Sequence, residues 1–193
     1  HIGHFVLTNE LMEVMKDVDG ARFVSLSSSA HSLTGILWDD IHFQESKYDK
    51  WMAYGQSKTA SSLIAIEFNR LMSDKGVSGF SVHPGGIITP LQRHLRNEEM
   101  VALGWMKDDG SPSDLVKDFF KSTSQGASTT LWCATSPDLD NIGGVFCEDC
   151  NIAKRKSEVD ESLQRYFGVA DWAINAEEAN KLWETTEKML LSS

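Results

Sequence analysis

Cysteine is scarce. Cys133, Cys147 and Cys150 are the only three in 193 residues, too few and too odd in number for a disulfide framework. Cys147-Glu148-Asp149-Cys150 is a lone CxxC without the second ligand pair that a zinc site needs, so the three read as reduced structural thiols and the chain as cytoplasmic. Positive charge is also in short supply. Lys and Arg number 18 against 28 Asp and Glu, a net charge of -10. A nucleic-acid partner calls for a basic face, so none is expected, and the acidic excess serves solubility. No stretch approaches the roughly 20 apolar residues of a membrane helix, so no span is expected in this segment. No secretory leader is expected within this segment. The chain opens on His1-Ile2-Gly3-His4-Phe5, which reads as the middle of a helix.

What is present is the composition of a globular domain with one core, 41% hydrophobic and 24% charged. No internal repeat or low-complexity run interrupts it. Residues 4–17 predict a helix with a broken apolar stripe at Phe5, Leu11, Val14 and Met15, stopped by Gly20. Residues 22–27 predict a short strand that runs into a serine cluster. Residues 32–50 are polar and irregular, with Trp38 and Phe43 as anchors. Ala60, Leu63, Ile64, Phe68 and Leu71 recur at helical spacing over residues 52–74, and Gly76 ends that helix. A strand over 77–82 leads into His83-Pro84-Gly85-Gly86. Residues 90–121 mix charges, Met and aromatics and read as a mobile helical flap. A helix over 125–135, a strand at 145–147, and a final helix opened by the capping box Asn175-Ala176-Glu177-Glu178 complete the chain. Strands alternating with helices predict an α/β parallel sheet covered on both faces. Three predicted strands make a thin sheet, where a doubly wound nucleotide-binding fold has about six.

The chemistry gathers at three places. Tyr54-Gly55-Gln56-Ser57-Lys58 sets a phenol and an ammonium one helical turn apart on one face. A nearby ammonium favours the phenolate, and such a Tyr can pass a proton to or from a substrate oxygen. Taken alone, this spacing is common on unrelated helices. Upstream, a strand ends in Ser27-Ser28-Ser29, where ligands bind in open α/β sheets but where plain turn chemistry also places serines. Downstream, another predicted strand ends in Pro84-Gly85-Gly86-Ile87-Ile88-Thr89. The glycines permit close backbone approach to a ligand, and Thr89 offers a hydroxyl at a helix start. His4, His31 and His83 share no ligand spacing, so packing or capping is expected of them rather than metal binding. The six Trp read as core and flap residues.

A serine at one strand end, YxxxK on the following helix and PGxxxT after the next strand, in that order, resembles the short-chain dehydrogenase/reductase family. His1-Ile2-Gly3-His4-Phe5, Ser28-Ser29-Ala30-His31, Val82-His83-Pro84-Gly85, Gln125-Gly126-Ala127-Ser128-Thr129-Thr130 and the long gap from Ser28 to Tyr54 resemble its retinol-dehydrogenase-like branch, which includes the WW-domain-containing oxidoreductases. The resemblance implies the C-terminal part of a Rossmann-like doubly wound sheet that moves a hydride between NAD or NADP and a small hydrophobic alcohol or carbonyl. It implies that Tyr54 is the general acid/base, that Lys58 holds the nicotinamide ribose, and that Ser28 hydrogen-bonds the substrate oxygen, with Ser27 and Ser29 as register alternatives. Pro84, Gly85, Ile87 and Thr89 would line the nicotinamide, and the flap, apolar at Leu91, Leu95, Met100, Leu103, Trp105 and Met106, would cover the substrate. A homo-oligomer is compatible with this reading. The family's opening strand and glycine-rich pyrophosphate turn have no counterpart here, since Gly143-Gly144 comes too late. The family's catalytic Asn would fall just before His1. The chain is therefore expected to be the catalytic portion of a single domain and, on its own, inactive. A non-enzymatic interaction scaffold is the second function class. Intact Ser28, Tyr54 and Lys58 speak for the enzyme.

Overall fold

A computed structural model describes residues 1–191. The chain runs α1 (Ile2–Met15), β1 (Arg22–Leu26), α2 (Lys50–Met72), β2 (Ser78–His83), α3 (Asn97–Ala102), α4 (Asp114–Phe119), α5 (Thr123–Thr135), β3 (Val145–Glu148), β4 (Asn151–Ile152) and α6 (Ala176–Leu191). The sheet order follows the sequence, β1-β2-β3-β4. β1 and β2 pair in parallel with Val24 opposite Phe80, and β2 and β3 pair in parallel with Val82 opposite Cys147.

The sequence predicts three strands, and the structure corrects this to four. β4 lies antiparallel to β3, with Cys147 opposite Ile152. It has two residues, both exposed, so it carries no alternating pattern to read. Asp149 and Cys150 form the turn between them at φ 48° and 54°, positive at both positions as a tight two-residue hairpin requires. Half of the CxxC is thus a turn, while Cys147 is buried in β3.

α2 organises the layers. Its N-cap Asp49 accepts hydrogen bonds from the amides of Trp51 and Met52 at 2.8 and 2.9 Å, which satisfies donors that a helix start leaves free. Along its length Ile64, Phe68 and Met72 pack with Phe5, Val77 and Trp183, and Ala60, Leu63 and Ile66 pack with Ile36, Ala179 and Leu182. The helix is therefore apolar on more than one side and is sandwiched between the sheet and α6. On the opposite sheet face, Phe80, Val82 and Cys147 pack with Cys133 of α5 and Leu139. Helices on both faces of a mainly parallel sheet are the expected layering. Among the described residues, no helix is long and apolar enough to cross a membrane.

Residues 90–121 behave differently. α3 and α4 have six residues each, and no residue of the segment is buried. It rejoins the body where the Lys121 amide donates to the Gly86 carbonyl at 2.8 Å.

Candidate active site

The carboxyl ends of β1 and β2 and the first turns of α2 meet at one edge of the sheet. Ser27 extends the ladder past β1, its amide donating to Val82 O at 2.8 Å. Two bonds then bind this end to α2. Ser27 Oγ donates to Lys58 O at 2.8 Å, and Lys58 Nζ donates to Leu26 O at 3.2 Å. Nζ also stands 5.7 Å from the centre of the Tyr54 ring, the one-turn relation that the spacing predicts. Partial burial holds the Lys58 ammonium below the usual lysine pKa range, because desolvation disfavours its charged form.

The three serines occupy three different environments. Ser27 is buried, with its hydroxyl committed to α2. Ser28 caps a short 3-10 turn over Ser29–Leu33, its Oγ accepting from the Ala30 amide at 3.2 Å, which leaves its own proton free to donate. Ser29 takes part through its backbone, its carbonyl accepting from Ser32 Oγ at 2.6 Å.

The turn after β2 carries the other predicted residues. Gly85 adopts φ +90°, where a side chain is strained. The space beside it is filled by the protein itself, since a Cβ there would meet Cδ and Cε of Lys121 at 2.8 and 2.9 Å. A Cβ on Gly86 would likewise meet the Phe120 ring at 2.8 Å. On that side the glycines admit the end of the 90–121 segment, not an open cradle. Lys121 is in turn ion-paired with Asp149. Ile87 packs against Gly126 and accepts from Gln92 Nε2 at 2.8 Å. Thr89 caps the 3-10 turn Pro90–His94, accepting from the Leu91 amide at 3.2 Å.

The structure thus brings Ser28, Tyr54, Lys58 and the Pro84–Gly85 turn to the same sheet edge. Several neighbours have no role in the sequence reading. Gly55, between Tyr54 and Lys58, lets α2 close on the serine turn, because a Cβ would meet Leu33 Cβ at 2.9 Å and Ala30 O at 3.0 Å. Buried Thr59 donates to Thr34 O at 2.7 Å and lies 3.0 Å from His31 O. Gln56 holds the next loop, accepting from the Leu37 amide at 2.8 Å and donating to Ile41 O at 3.1 Å. A glycine inside a helix signals close packing, but periodicity alone does not say against what.

Known proteins place this architecture. The chain is 38% identical over 184 residues to a probable oxidoreductase of Streptomyces lividans, covering 95% of this chain and 60% of that protein. It is 35% identical over 194 residues to a short-chain dehydrogenase/reductase of Penicillium roqueforti, covering 98% and 54%. Over nearly its whole length the chain is similar to members of the short-chain dehydrogenase/reductase family. Mouse retinol dehydrogenase 12, 34% identical over 190 residues with 98% and 52% covered, agrees with the branch that the motifs resemble. A solved structure of an uncharacterised Mycobacterium paratuberculosis protein superposes with a TM-score of 0.60 at 26% identity, covering 97% of this chain and 55% of that one. No family model matches. The chain spans a little over half the length of the curated relatives it matches.

The donor set suits the nicotinamide-ribose half of a dinucleotide. Lys58 uses one N–H on Leu26 and retains donors for a ribose hydroxyl. The described residues include no glycine-rich strand-to-helix turn of the kind that binds a pyrophosphate.

Proposed function

We propose that this chain provides the proton-transfer half of an oxidoreductase that interconverts a hydrophobic alcohol and its carbonyl compound with NAD(P)(H). The observation that carries the reading is Lys58. Its ammonium is fixed to the end of β1 by Leu26 O, within one turn of the Tyr54 ring and beside the Ser28 turn.

When bound, a nicotinamide dinucleotide would supply the hydride chemistry; in the direction of reduction this chain's own residues handle the proton. Tyr54 gives its phenolic proton to the carbonyl oxygen as charge develops there. The Lys58 ammonium stabilises the phenolate left behind and donates to the nicotinamide ribose. Ser28, whose hydroxyl proton is free, donates to the same substrate oxygen and orients it. Oxidation reverses each transfer. Ile87 and Thr89 would flank the nicotinamide beside Pro84 and Gly85. Residues 90–121 would cover the substrate with Leu91, Leu95, Met100, Leu103, Trp105 and Met106, side chains left outside the core. A hydrophobic substrate is the natural occupant of such a cover.

The test is Tyr54→Phe in the complete gene product. It removes the transferable proton and leaves the ring. Turnover of a hydrophobic aldehyde should fall on the order of 100-fold or more, with dinucleotide binding retained. Near-normal turnover would remove Tyr54 from the reaction.

A further inference from the structure

Two buried histidines lie behind the serine turn, and the reaction above uses neither. His31 is fully buried and His83 nearly so. His31 Nδ1 lies 2.6 Å from Ser28 O. A carbonyl only accepts, so Nδ1 carries the proton. Its Nε2 accepts from the Ala170 amide at 3.0 Å, so that nitrogen is bare. His83 is arranged the other way round. Its Nδ1 accepts from the Ser29 amide at 3.1 Å and from the Gly85 amide at 3.4 Å, so in the neutral ring the proton is on Nε2. Ser28 O and Ser29 N–H belong to a single peptide unit. One histidine donates to its carbonyl, and the other accepts from its amide.

We propose that His31 and His83, neutral rings of opposite tautomer, are positioning residues that fix the Ser28–Ser29 peptide from both sides and couple it to the Gly85 turn. The proposal rests on the oxidoreductase reading for its catalytic consequence and on geometry alone for the clamp. The peptide plane sets the direction of the Ser28 side chain. The shared acceptor on His83 joins the serine that would orient the substrate oxygen to the turn that would flank the nicotinamide. A hydroxyl held on a flexible turn would wander by the ångström that costs a positioned reaction on the order of 100-fold. Two ring nitrogens of fixed tautomer remove that freedom. The charged and titratable groups that face the pair are Lys156 near His31, Lys121 and Asp149 near His83, and each ring near the other. Glu148 sits opposite His83 across the β2–β3 ladder, with its Oε1 accepting from the Gly168 amide at 2.8 Å.

The experiment has two arms, both on the complete gene product. In the first, ¹⁵N-histidine NMR at neutral pH reads the tautomers directly. Protons at Nδ1 of His31 and Nε2 of His83 support the clamp. The same tautomer at both, or an imidazolium at either, overturns it. In the second, Tyr54→Phe, His83→Leu and His83→Asn are assayed together. Asn places a carbonyl oxygen where Nδ1 stood and can accept from both amides. His83→Leu should lower kcat by up to about 100-fold with substrate KM little changed, and His83→Asn should regain most of that loss. If Tyr54→Phe is inactive while His83→Leu keeps its kcat, or if Asn is no better than Leu, the positioning role falls. If Tyr54→Phe itself turns over normally, the oxidoreductase reading fails, and the NMR arm still decides the clamp.

Discussion

The serine turn and the 90–121 segment are neighbours built in opposite ways. At the sheet edge nearly every polar group has a fixed partner: Ser27 with Lys58, Lys58 with Leu26, His31 with Ser28, His83 with Ser29 and Gly85. Residues 90–121 contain no buried side chain, and their two helices have only six residues each. Lys107 and Lys117 both pair with Asp114, on the surface and within the segment itself, and such exposed pairs hold little. Pre-organisation is therefore concentrated where a proton would move, and adaptability where an apolar substrate would be covered. Few buried apolar contacts are the physical signature of a region that opens locally.

The largest way to break this contrast is acid. His31 and His83 are both held down from the ordinary 6.5 to about 4, in each case chiefly by burial. Their folded pKa values lie below the unfolded value, so their neutral forms contribute stability that is complete above pH 6.5. That contribution is lost as pH falls from 6.5 toward about 4, because the unfolded chain binds the extra protons. Glu148 opposes this, since burial raises its carboxyl pKa, but it is one group against two. The midpoint of thermal unfolding should drop steadily between pH 7 and pH 4, by a net few kcal/mol of stability, and proton uptake on unfolding should shrink in His83→Asn. A melting temperature flat across that range would mean that neither ring is buried as a neutral group.

Next in size is Lys58→Met in the complete gene product. It removes the cation beside the Tyr54 ring and a donor suited to the ribose. Dinucleotide binding should weaken, and kcat/KM should fall on the order of 100-fold. An unchanged kcat/KM would take Lys58 out of the reaction.

Much of this edge was legible in the sequence, and the reason is chemical. Tyr54 and Lys58 sit one turn apart because a helix forces residues i and i+4 onto one face, and α2 is long and apolar enough to be read as a helix. The parallel pairing of β1 with β2 followed from the long helical connection between them. What stayed hidden depended on contacts between distant segments. His31 is read by Ala170, 139 residues away, and no local pattern announces such a bond. The choice among Ser27, Ser28 and Ser29 turns on which hydroxyl the helix claims, a fact of packing. β4 was invisible because a two-residue strand has no period, and Asp149-Cys150 is not the Asn-Gly or Asp-Gly turn that marks a hairpin.

Gly55 gives a smaller effect that sharpens the comparison on the ordered side. Gly55→Ala would normally favour a helix, by up to about 1 kcal/mol. Here the new methyl meets Leu33 Cβ at 2.9 Å and the Ala30 carbonyl oxygen at 3.0 Å, and a backbone oxygen cannot swing aside. Overpacking of this kind costs about 1–3 kcal/mol, so the sign reverses and the variant should be less stable under urea titration. A variant more stable than the parent would show that α2 and the serine turn do not close as tightly as their spacing states.

The smallest stability effect belongs to the loose side. Leu91 is 66% exposed, at the start of the segment beside the Thr89 cap. Leu91→Ser takes away a side chain that the fold does not bury, so unfolding should change by no more than about 0.5 kcal/mol. If the segment covers an apolar substrate, the same change should raise KM for long hydrophobic aldehydes more than for short ones, because the lost contact is made only with the longer chain. kcat should change little, since the clamped edge is untouched. Stability and KM moving together would place Leu91 in the core of the fold. A KM that rises equally for short and long substrates would take the apolar cover away from this residue and leave selectivity to the face that Tyr54 presents.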